Sequence, residues 1–121
     1  RFFGKPRPVY PGLHDYELPA NQRKLDLVES LRSLAEQAGM PLVHLAIAFT
    51  LAHPGVTSSI IGPRTMDQLT SQLPASDIDL AADVLDAIDE LVPPGTDLNL
   101  GEAGYLPPEL TDPSKRRRPP R

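Results

Sequence analysis

The chain contains no cysteine in 121 residues, so it has neither a disulfide framework nor a thiolate zinc site. Long hydrophobic runs are missing too. The longest apolar stretch, Leu45–Phe49 within Pro41–Ala52, falls far short of the roughly 18 residues that a membrane helix needs. No membrane partner is expected, no signal peptide is visible, and a soluble, cytoplasmic location follows as an expectation. A basic excess is absent as well: the formal net charge of −4 argues against general nucleic-acid affinity. Arg1 stands where an initiator methionine is expected, so the chain reads as a truncated or partial product. Proline, by contrast, is plentiful. Its 15 residues gather at both ends, which marks 1–20 as a loop and 93–121 as a Pro-rich tail and leaves 21–92 to form a core.

Within that middle, Leu25, Val28, Leu31, Leu34, Ala35 and Ala38 recur every three or four positions. This predicts an amphipathic helix with Asn21 as N-cap and Gly39 as its stop. Its polar face carries Arg23, Lys24, Glu29, Arg32 and Glu36. Pro41 suits the first turn of a second helix, apolar nearly all round and therefore expected to be buried. His44 and His53 lie nine residues apart, about two and a half helical turns, too far for one metal ion. They read as packed or end-capping histidines. A short helix is expected from Thr65 to Leu73, closed by Pro74, and an amphipathic one from Ala82 to Val92 with Val84, Leu85, Ile88, Leu91 and Val92 inward. The acidic residues Asp77, Asp79, Asp83, Asp86, Asp89 and Glu90 lack the alternating ligands and central glycine of a calcium loop and read as a solvated face.

The most informative stretch joins Val56-Thr57-Ser58-Ser59-Ile60-Ile61 to Gly62-Pro63-Arg64-Thr65-Met66-Asp67-Gln68-Leu69. Branched side chains predict a short buried strand at about 57–61, stopped by the Gly-Pro pair. Thr65 and Gln68 match a capping box, in which the hydroxyl and the side-chain amide each satisfy a backbone N–H at a helix start. Free N–H groups and the positive helix end attract anions, and Arg64 adds a planar fork of donors that fits two phosphate oxygens. On spacing alone a structural turn with a solvated arginine is the commoner reading, because capping boxes are common.

The residues from about Leu45 to Pro94, above all Ala46–Thr57, Ile60–Thr65, Gln68-Leu69 and Leu85–Leu91, resemble the C-terminal part of an aldo-keto reductase. The resemblance implies an α/β fold, the C-terminal segment of a (β/α)8 TIM barrel, mostly helical here with one strand and Pro-rich ends. It also implies NADP(H) as cofactor. Matched residue by residue, Arg64 resembles the side chain on the 2′-phosphate, and Gly62 and Pro63 resemble the backbone passing close to it. Thr65 would cap the helix beside the phosphate, and Gln68 resembles the residue that turns back toward the adenosine phosphate or ribose. Gln72 stands where an asparagine usually reaches the adenine amino group, and keeps that amide chemistry on a longer stem. Ser71 stands where an acidic residue is frequent.

Such a barrel needs about 250 residues. The family's catalytic aspartate, tyrosine, lysine and histidine sit on earlier strands, and nothing here matches their surroundings, so no catalytic residue is assigned. The implied activity of the parent is oxidoreductase chemistry, reducing small aldehydes or ketones to alcohols. A non-catalytic nucleotide-binding or scaffold module derived from the same fold is the alternative. A third reading, a nucleic-acid arm at Lys115–Arg118, lacks aromatic interleaving. Tyr105 and Leu106 would lie near the substrate in the parent. A lone strand needs partners, and an apolar second helix without cover should promote self-association, with two copies pairing through Thr57–Ile61.

Overall fold

The computed structural model describes residues 17–98, Pro108 and 112–115. Tyr105, Leu106 and the arginines after Lys115 lie outside the described residues. The first helix, α1, runs Pro19–Gln37 and begins two residues before Asn21. Its N-cap is Leu18, with proline in the first turn, where a fixed φ and a missing N–H cost nothing. Asn21 is therefore not the cap. It sits inside the first turn, 5% exposed, with its N–H on the Leu18 carbonyl at 2.9 Å. The other end follows expectation. Gly39 has φ +73°, its N–H reaches the Glu36 carbonyl at 3.0 Å, and the Met40 N–H reaches Ala35 at 2.9 Å. This is a Schellman closure, and the left-handed position favours glycine.

The chain then turns by 92° into α2, Leu42–Leu51, with Pro41 as N-cap. After an irregular stretch come α3 (Met66–Gln72), a 3-10 turn (Leu73–Asp77) and α4 (Ala82–Leu91). As expected, α3 stops just before Pro74. The proline occupies the start of the 3-10 turn, where its missing N–H is harmless. Helix α1 packs on α4 and α2, while α2 also packs on the 3-10 turn. Ala35, Leu45 and Ile88 form the buried core, ringed by Leu31, Leu34, Met40, Leu42, Leu80 and Val84. A second contact buries Ala48 and Ala75.

Two expectations fail in the same way. Leu25 and Val28, predicted inward, are 43% and 48% exposed, because the core engages only the C-terminal half of α1. Helix α2 buries Leu45 and Ala48 but leaves Phe49 37% exposed, so it is covered on one side and not all round. The expected strand at 57–61 does not form: among the described residues there is no β-strand or bridge, and Ile60 is 99% exposed. A strand exists only through its ladder with a neighbour, and no described segment supplies one. No single helix among the described residues is long and apolar enough to cross a membrane.

Candidate functional site

The junction from Gly62 to Gln72 is built by the capping residues. Thr65 has extended backbone, φ −130° and ψ 159°, and its hydroxyl accepts the Gln68 N–H at 3.2 Å. The reciprocal half differs from the usual box. The Gln68 side-chain Oε1 accepts from the backbone N–H of Arg64, at 2.7 Å, one residue before the cap. Gln68 does turn back, as the sequence implied, but onto the arginine's own backbone. The result is a closed loop of two hydrogen bonds that fixes the chain at the base of the Arg64 side chain.

Arg64 and Thr65 are exposed, and Pro63 is half-buried. Among the described residues, the Arg64 guanidinium has no hydrogen-bond or ion-pair partner. Gly62 is exposed, and a Cβ there would meet nothing within 4 Å. The glycine is thus not demanded by protein packing, and the space beside it is open for another molecule.

A groove of about 520 Å³ lies between α2, residues 56–61 and the 3-10 turn. Ile47, Leu51, Val56 and Ile61 give it apolar walls, and Ser58, Ser59, Ser76 and Asp79 give it polar ones. Gln72 lines it as well, but Gly62, Pro63, Arg64, Thr65 and Gln68 do not. Five of the six predicted site residues therefore cluster on an open surface at the start of α3, and the sixth points to a different space. What aims Gln72 was not visible in sequence. The His44 Nε2–H donates to the Ser71 carbonyl at 2.6 Å and so ties the last turn of α3 to α2. The signal existed, since a histidine can cap a helix C-terminus, but nothing in a 27-residue separation says which carbonyl it meets.

Residues 2–93 match the family model described as the aldo/keto reductase family. The chain belongs to that family. Among similar proteins is one from Bacillus subtilis named uncharacterized oxidoreductase YrpG, 33% identical over 78 residues, a match that covers 59% of this chain and 24% of that protein. Another, from Schizosaccharomyces pombe, is named a putative voltage-gated potassium channel subunit beta. It is also 33% identical over 78 residues, covering 63% of this chain and 23% of that protein. The chain thus spans about a quarter of the length of the curated relatives it matches.

Membership implies the (β/α)8 barrel architecture, of which the described residues contribute helices and turns. It also implies a nicotinamide dinucleotide, since the family generally uses NAD(P)H. The residues present fit the phosphate part of that group: a guanidinium without a partner among the described residues, a hydroxyl at a helix start and a glycine facing open space.

Proposed function

We propose that this chain is the NADP(H)-binding part of an aldo-keto reductase, an oxidoreductase that reduces small aldehydes or ketones to alcohols. The bound dinucleotide supplies the hydride for that chemistry. Arg64 grips the 2′-phosphate, Thr65 and Gly62 shape the approach to it, and Gln68 holds the arginine's backbone in place. Pro63 stiffens the turn, and the adenine enters the neighbouring groove that Gln72 lines. The observation that carries the reading is the Arg64 guanidinium, fixed at its base and unpartnered among the described residues at its tip.

Arg64→Ala, made in the longest natural chain that contains these residues, tests it. A lost charge-assisted pair should weaken NADPH about 30-fold and leave NADH within about twofold, measured as Kd by fluorescence titration. Equal losses for both dinucleotides would remove Arg64 from the 2′-phosphate.

A second reading is favoured by the relative named as a channel subunit: a nucleotide-binding module that serves a partner and does not turn over substrate. NADPH consumption with a panel of aldehydes separates the two. Turnover supports the enzyme, and binding without turnover supports the module.

A further inference from the structure

Gln72 closes α3, and the chain on either side of it is held by one stripe of α2. His44, Ala48 and Leu51 stand at i, i+4 and i+7 and so share a face of that helix. The His44 Nε2–H reaches the Ser71 carbonyl at 2.6 Å, immediately before Gln72. Just beyond Gln72, the 3-10 turn packs on α2 with Ala75 fully buried. Ala48 and Leu51 also line the groove, so the groove wall and the hold on Gln72 come from the same helix face.

Pro74 explains why a histidine is needed there. A helix leaves its last carbonyls without intrahelical partners. Where the chain tightens into the 3-10 turn at Leu73, a carbonyl pairs with the N–H three residues on. For Ser71 that residue is Pro74, which has no N–H. His44 supplies the donor from outside the helix, across 27 residues of sequence. Removing it leaves the Ser71 carbonyl without this partner and the last turn of α3 without this tie to α2.

Gln72 itself is half-buried and lines the groove, and its side-chain amide has no hydrogen-bond partner among the described residues. A carboxamide offers an acceptor and a donor side by side. That pattern fits the edge of adenine, where the 6-amino group donates and N7 accepts. It does not fit a 6-oxo purine, which shows two acceptors there. Such a paired contact gains from a backbone that is fixed before the base arrives.

We propose that His44 is a positioning residue that sets the preference of the groove for an adenine base, acting through the Ser71 carbonyl on Gln72. The inference rests on the reading of the junction and its groove as a dinucleotide site.

The test compares NADPH with reduced nicotinamide hypoxanthine dinucleotide phosphate, which keeps the 2′-phosphate but carries a 6-oxo base. Kd is measured for both by fluorescence titration in the longest natural chain that contains these residues. The wild type should bind the hypoxanthine form about tenfold more weakly, as expected for the loss of a two-point contact to the base. In Gln72→Ala, and equally in His44→Ala, the two should bind within about twofold of each other. His44→Gln, which keeps a side-chain N–H donor, should retain the base preference. If His44→Ala does not fold, His44→Phe, which keeps a ring without the donor, decides in its place. A base preference that survives in His44→Ala, with both dinucleotides weakened alike, is the result of a residue that only supports the fold and overturns the proposal. So does a wild type without base preference, or a His44→Gln that behaves as His44→Ala. Arg64→Ala separates this inference from the reading beneath it: the preference for NADPH over NADH should go while the base preference stays. Failure of the wild type to bind NADPH would remove the dinucleotide site and this inference with it.

Discussion

Isoleucine stands in both the three-helix core and the segment from Val56 to Gln68, yet it is packed in one and open in the other. In the core, Leu45 and Ile88 are 2% and 7% exposed; in the segment, Ile60 is 99% exposed. Hydrophobicity does not explain the difference. Backbone hydrogen bonding does. A helix satisfies its own N–H and C=O groups, so α1, α2 and α4 need from each other only apolar contact. A strand has half its structure in its neighbours, and Thr57–Ile61 finds none among the described residues. Local sequence can therefore specify the helices completely and the strand only as a disposition.

That contrast is easiest to break with a pair of substitutions. Leu45→Ala should destabilise the 121-residue chain by about 3 kcal/mol, the cost of a cavity in a closely packed site. Ile60→Thr should change stability by less than about 0.5 kcal/mol, as exposed positions do. Urea unfolding followed by circular dichroism measures both. Comparable losses at the two positions would mean that residues 57–61 are packed after all.

The turn after α1 sharpens the same comparison, because it is a non-helical feature that places Met40 against the core. Gly39 holds φ +73° with open space around its Cβ position. Replacing it with alanine thus tests backbone strain without steric clash. Gly39→Ala should cost about 1 kcal/mol, from the left-handed penalty on a side chain, and Gly39→Asn should recover part of it. The midpoints of thermal unfolding for the three forms give the order. If alanine proved neutral, the Schellman closure would not be what sets the 92° turn between α1 and α2.

Much of this was legible from spacing. Gly39 as a stop, Pro41 at the head of α2, Thr65 as a cap and the span of α4 all follow from rules that act over four residues or fewer, and each is seen. The failures lie where a residue's state depends on something distant. Asn21 suits a cap by its chemistry, but Pro19 already provides the start. Leu25 and Val28 carry the right period, but period says which side a residue occupies and not whether anything packs against that side. At the candidate site the residues 62–68 were readable as a capped turn. The use of Gln68 to hold the Arg64 backbone, the His44 tie to Ser71 and the separation of Gln72 from the rest depend on three-dimensional placement.

The smallest expected effect lies on the solvent face of α1. Arg32 bridges Glu29, three residues before it, and Glu36, four residues after it. The hydrogen bond from Arg32, and then its charge, holds the Glu29 carboxyl below the usual glutamate range, while Glu29 in turn pushes Arg32 further into its charged form. A carboxylate whose folded pKa is depressed adds stability above its unfolded value of about 4.3, and loses it as pH falls through the lower folded value. Both side chains stand in water, with 46% and 64% of their surface exposed, so the gain is strongly screened. Glu29→Gln should therefore lower the urea midpoint slightly at pH 7, by an amount that shrinks in 1 M salt and vanishes near pH 2. A large, salt-insensitive loss at pH 7 would mean that Glu29 supports α1 by something other than this exposed pair.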